Sequence, residues 1–146
     1  MSAQQNKELT RRMFEEYNAI KGNISKANAW VDKNYSPSIV FHGPLSGDMN
    51  FERLKQFHAA ELAISPYFAL KHVIAEGDMV LAQFTMNVTH QGPFMGIPAT
   101  GKKLQVEGAM IIKVSAITIR ELWIYLDTLG GHNPLSHSGM TGRAKQ

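Results

Sequence analysis

The 146-residue chain contains no cysteine. That absence excludes a disulfide framework, a thiolate metal site, an iron–sulfur cluster and a cysteine nucleophile. Long apolar runs are missing as well: the longest, Leu122 to Leu126, has five residues, against the roughly 20 that a membrane-spanning helix needs. No spanning segment and no membrane partner are expected. The first residues, Met1-Ser-Ala-Gln-Gln-Asn-Lys, lack the basic flank and apolar stretch of a secretory leader, so a cytoplasmic location is the expectation. Charge of one sign is scarce: 15 Lys+Arg against 12 Asp+Glu leave a net +3. The basic residues are scattered singly or in pairs such as Arg11-Arg12 and Lys102-Lys103. Nucleic-acid binders carry a stripe of positive charge with stacking aromatics, so no nucleic-acid partner is expected. There is no Gly-x-Ser-x-Gly elbow, phosphate loop or dinucleotide fingerprint. His58, His72, His132 and His137 show no local metal-ligand spacing, and neither metal nor cofactor is expected.

What is present is the balance of a globular protein, 44% apolar and 18% charged, in a length that suits one domain. That domain is read as residues 1–129, followed by a loose tail over 130–146 that opens Gly-Gly-His-Asn-Pro. Leu9, Met13, Tyr17 and Ile20 recur at helical spacing behind a charged face, which predicts a first amphipathic helix ended by Gly22. Ser25 is the expected cap of a second, shorter helix, and Ile39 to His42 the expected first strand. A third helix is expected from near Asn50, broken at Ser65-Pro66. Beyond Pro66 the period becomes two. Val80, Ala82, Phe84, Met86, Val88 and His90 alternate with polar residues, and Leu104 to Val114 and Ile117 to Asp127 form further strands. Helices first and long strands afterwards define an α+β domain, a curved antiparallel sheet wrapped over N-terminal helices.

Registering the last two strands through a two-residue turn at Ala116-Ile117 sets Ile112 opposite Glu121, Met110 opposite Trp123, Gly108 opposite Tyr125 and Val106 opposite Asp127. This register seats Asp127 among apolar neighbours, where a carboxylate has a raised pKa and can exchange a proton near neutrality. Asp127 also reads as a strand-end residue capping a turn. Gly108 would leave room for a ligand. Trp123 and Tyr125 read either as core or as a flat pocket wall. His90, before Gln91-Gly92-Pro93-Phe94, reads either as a core histidine or as part of a pocket lip that includes Phe94. Leu122, Ile124 and Leu126 would then face outward, an apolar file that predicts a homodimer through the convex sheet face.

Three blocks are collinear with a known family: Glu76-Gly77-Asp78-Met79-Val80; Thr89-His90-Gln91-Gly92-Pro93-Phe94 with the following Met-Gly-Ile-Pro-Ala-Thr-Gly-Lys; and Glu121-Leu122-Trp123-Ile124-Tyr125-Leu126-Asp127. From about Asn6 to Leu129 the chain resembles the SnoaL-like polyketide cyclase (ester cyclase) family of the nuclear transport factor 2-like superfamily. The resemblance implies a cone-shaped α+β barrel and a cofactor-free aldol-type ring closure. It makes Asp127 the general acid/base and turns His90 and His42 toward the pocket. Where the family usually has Asp-Gly-Lys before the last strand, this chain has Ala116-Ile117-Thr118, and Ala99 replaces a usual proline. The expected function is acid/base chemistry by Asp127 and His90 on a small apolar, polyketide-like carbonyl compound, with Trp123, Tyr125, His42, Phe94, Met110 and Gly108 around it. The alternative is a non-catalytic hydrophobe-binding or dimeric scaffold domain of the same fold.

Overall fold

The computed structural model describes residues 2–43, 47–93 and 98–127. Helix α1 (Ala3–Asn18) starts at Ser2, whose hydroxyl accepts from the Gln5 N–H while the Gln5 side chain accepts from the Ser2 N–H. This reciprocal cap satisfies donors that a helix start otherwise leaves free. Its inward stripe is Leu9, Met13 and Tyr17, as the spacing predicts. Helix α2 (Ile24–Asn34) is capped two residues earlier than expected, by the Asn23 side chain accepting from the Lys26 N–H. Asn50 caps α3 (Phe51–Glu61) in the same way. A 3₁₀ turn, Leu62–Ile64, follows and ends at Ser65, whose φ of 43° stops the helix before Pro66.

Strands β1 (Tyr35–Gly43), β2 (Gly47–Met49), β3 (Tyr67–Glu76), β4 (Met79–Thr89), β5 (Lys103–Ser115) and β6 (Thr118–Leu126) form one sheet in the order β2-β1-β6-β5-β4-β3. The order is linear, so the expected barrel is a curved sheet that does not close. Strand β1 is longer than the sequence suggests and contains Pro37. The proline falls where the pairing of β1 with β6 shifts register, a place that tolerates a missing N–H. All neighbours are antiparallel except β1 and β6, which run parallel. That pair corrects the expectation of an all-antiparallel sheet. A parallel pair needs a long connection, and here most of the chain supplies it.

The β5–β6 hairpin decides which side chains face inward. Ser115 pairs with Thr118 and Val114 with Ile119, as a two-residue turn requires, and Ala116 takes the left-handed φ of 57°. The register then shifts, so that Lys113 pairs with Glu121, Ile112 with Leu122, Met110 with Ile124 and Gly108 with Leu126. One extra residue reverses the facing of everything beyond it. The expected partners of Ile112, Met110 and Gly108 are thereby each displaced by one. Leu122, Ile124 and Leu126 pack on the core instead of forming an outward file. Glu121, Trp123 and Tyr125 take the outer face.

Gly108 does not open space for a ligand. A Cβ there would lie 2.7 Å from the Tyr125 carbonyl oxygen, 2.8 Å from Leu126 Cδ2 and 2.9 Å from the Phe84 ring. The missing side chain makes room for Phe84, its cross-strand neighbour. Phe84 is fully buried and meets Phe68 edge-on and Phe14 at a tilt. These rings join α1 to β3 and β4.

Candidate active site

The buried stripe of α3 is Leu54, His58 and Glu61, spaced i, i+4 and i+7 so that all three face the sheet. Two of the three are polar, which a helix tolerates on its core face only when they find partners. They do. His58 Nε2 lies 2.9 Å from the Tyr35 hydroxyl, and His58 Nδ1 lies 3.1 Å from Glu61 Oε1 and 2.9 Å from the Tyr17 hydroxyl. The Tyr17 hydroxyl donates to the same Glu61 oxygen at 2.5 Å. With the His58 proton on Nδ1, every donor finds an acceptor. Tyr35 O–H donates to Nε2, Nδ1–H donates to Glu61, and Tyr17 O–H donates to Glu61 from the other side.

Four elements bring these groups together: α1 carries Tyr17, α2 packs Trp30 edge-on against Tyr17 and Tyr35, β1 begins with Tyr35, and α3 carries His58 and Glu61. Burial pushes both tyrosine pKa values up, and the nearby Glu61 charge raises them further. The phenols therefore stay protonated across the physiological range and act as donors.

A cavity of about 40 Å³ adjoins this network, lined by Tyr17, Tyr35, His58, Trp30, Met110 and Leu122 among others. Its wall is mostly hydrocarbon. It has room for a few waters, whereas a small-molecule site takes about 300 Å³ or more. Two larger clefts lie at the surface, one of about 440 Å³ and one of about 520 Å³. Tyr17 lines both the interior cavity and the first cleft.

Among the described residues expected from the sequence, Met110 lines this cavity and the others lie elsewhere. Asp127 follows β6, is exposed, and donates its backbone N–H to the Glu107 carbonyl at 2.8 Å. Tyr125 is exposed on the outer face. Trp123, also outward, stacks on His42 with ring centroids 5.2 Å apart and planes 19° apart. His42 bridges two carboxylates, Glu121 at 2.8 Å from Nε2 and Asp48 at 3.0 Å from Nδ1. The Glu121 hydrogen bond raises the His42 pKa, partial desolvation opposes it, and Asp48 adds to the rise. His90 is fully buried and bonds Thr100 Oγ1 through Nδ1 at 3.0 Å. Its backbone closes a pair with Gly101 and Lys102. Phe94 lies outside the described residues.

Sequence reasoning missed Tyr17, Tyr35, His58 and Glu61 as a group. The signal available was local: two ionisable residues in the apolar stripe that begins with Leu54 on α3. Among the described residues no group of three His, Asp or Glu side chains is placed to hold a metal ion. No described helix is long and apolar enough to cross a membrane.

Among the described residues, three α-helices and a six-stranded open sheet with a polar network in an apolar interior give the nuclear transport factor 2-like α+β fold. The model of the SnoaL-like polyketide cyclase family matches residues 7–133, and the chain belongs to that family. A protein of Jannaschia sp. CCS1 assigned to the SnoaL-like polyketide cyclases superposes with a TM-score of 0.73 at 21% identity, over 87% of this chain and 88% of that one. A protein of Acidithiobacillus ferrooxidans assigned as a polyketide cyclase gives 0.69 at 24%, over 89% and 94%. AclR of Streptomyces galilaeus, assigned as a hydroxylase, gives 0.74 at 22%, over 88% and 78%. Identities this low establish the fold alone. No curated protein matches the chain.

Proposed function

We propose that this protein is a cofactor-free enzyme of the polyketide cyclase type, which performs acid–base chemistry on a small apolar carbonyl compound inside the cone. One observation carries the reading: a buried, fully hydrogen-bonded chain of Tyr35, His58, Glu61 and Tyr17 borders an apolar cavity. In such a site Glu61 orients His58 by accepting from its Nδ1–H, which leaves Nε2 as the acceptor. A proton taken from carbon beside a carbonyl passes to His58 Nε2 by way of the Tyr35 hydroxyl. The Tyr17 O–H, donated to Glu61, holds that carboxylate in place behind His58. Asp127, the base implied by the family resemblance, is exposed at the end of β6, so the proposal assigns the proton transfer to His58.

The test is exchange of the acidic α-proton of a cyclic 1,3-diketone in D₂O, followed by NMR. The protein should speed exchange above the buffer rate, and His58→Gln should abolish the gain. A second reading, a hydrophobe-binding domain without catalysis, is favoured by the cavity of about 40 Å³, too small for a substrate until side chains move. Stoichiometric binding of the diketone with exchange at the buffer rate would select it.

The homodimer belongs to the same proposal, with its residues revised by the register. The outward row that crosses five strands is His42, Trp123, Ile111, Leu81 and Ile74, each opposite the next. Leu81 and Ile74 are exposed apolar side chains, which a second copy of the same sheet face would cover.

A further inference from the structure

The two surface clefts adjoin. Both are lined by Ser65 and Tyr67, the first continuing to Lys21, Leu62 and Gln91 and the second to Val88, Lys103 and Leu104. Their volumes of about 440 and 520 Å³ fall in the range of small-ligand sites. Each contributes one lysine, and among the described residues no aspartate or glutamate lines either, although the chain has twelve acidic residues. Among the described residues neither Lys21 nor Lys103 forms an ion pair, unlike Lys33, Lys55 and Lys71. Tyr67, which lines both clefts, is 54% exposed, a flat apolar surface with a polar tip.

The walls are held in place before any ligand arrives. Asn18 pins β3 to α1 by accepting from the Phe68 N–H at 2.8 Å and donating to the Phe68 carbonyl at 2.9 Å. The Gln91 and Gly92 N–H groups both bond the Ala63 carbonyl, and the Gln91 side chain donates to Ser65. Lys21 and Ser65, both lining the first cleft, each hold a left-handed φ, 49° and 43°.

We propose that this groove is a binding site for a planar organic anion, an aromatic or enolic ring carrying one carboxylate-like group. The ring lies on Tyr67 between Leu62, Pro66 and Leu104, and the anion meets Lys21 or Lys103. Fixed walls limit the ordering cost of binding. Two lysines without an ion pair, in clefts whose described lining has no carboxylate, favour a negative ligand over a neutral one of the same shape. The site stands on these observations whether or not the interior is catalytic.

The test uses the whole chain and two probes of equal shape, 2-naphthoate and 2-naphthamide, titrated by NMR at low and at high salt. Naphthoate should bind more tightly, and only its affinity should fall as salt rises. Lys21→Gln and Lys103→Gln are exposed changes; at least one should weaken naphthoate by about two- to fivefold while leaving naphthamide unchanged. Tyr67→Ala should weaken both probes, and Lys26→Gln, an exposed lysine outside the groove, neither. Equal affinities for the two probes, or naphthoate binding indifferent to both groove lysines, would overturn the proposal.

Discussion

Replacing Gly108 with alanine separates the two possible registers of the last hairpin. If Gly108 faced Tyr125 across an open pocket, a methyl group would stabilise the protein by about 0.4–1 kcal/mol, because alanine restricts the unfolded chain. In the structure the new Cβ meets a backbone oxygen at 2.7 Å, Leu126 at 2.8 Å and Phe84 at 2.9 Å. Side chains can yield by rotation, but the Tyr125 carbonyl belongs to the neighbouring strand and moves only with it. Overpacking of this kind costs about 1–3 kcal/mol. Subtracting the backbone gain leaves a net loss of about 0–2.6 kcal/mol, or up to roughly 10 °C in melting temperature for a chain of this size. Urea unfolding of Gly108→Ala against wild type measures it, and the loss should shrink in the double variant with Phe84→Leu, which removes one of the three contacts. Raised stability in Gly108→Ala would refute the shifted register and, with it, the inward facing of Leu122, Ile124 and Leu126.

The remaining predictions address other parts of the molecule. The folded-state His42 pKa is raised, so its contribution to stability is complete below the unfolded value of about 6.5 and is lost as pH rises through the folded value. Glu121→Gln should flatten that decline, by less than about 1 kcal/mol because the pair is partly exposed; urea midpoints between pH 5 and 9 check it. Tyr17→Phe removes a donor from buried Glu61 and should cost about 1–3 kcal/mol, seen in the same denaturation assay. Ile111→Asp, on the outward row, should shift the protein from dimer to monomer in light scattering. A monomeric wild type at micromolar concentration would count against that interface.

Helix positions, the change of period at Pro66 and the α+β class were legible because they follow from side-chain spacing alone. Two errors trace to single residues. Asn23 outcompeted Ser25 as a cap, since both are good caps and sequence does not rank them. The bulge near Arg120 mattered more. A two-residue turn at Ala116-Ile117 was read correctly, yet nothing in the apolar pattern of Leu122 to Leu126 reveals a bulge, because all five residues are apolar or aromatic and either file satisfies a core. The interior network was hidden for a different reason. Tyr17, Tyr35 and the His58–Glu61 pair are distant in sequence, and only the packing of α1, α3 and β1 brings them together.

The central claim is that His58 in the cone handles the proton, and α-proton exchange of a cyclic 1,3-diketone tests it most directly when three proteins are compared at equal melting temperature. Wild type should accelerate exchange. His58→Gln should lose a factor of about 10²–10⁴ attributed to proton transfer, whereas Asp127→Asn should stay within about threefold of wild type, since its exposed carboxylate adds little to a reaction inside the cone. Loss of exchange in Asp127→Asn with full activity in His58→Gln would contradict the account and return the base to the end of β6.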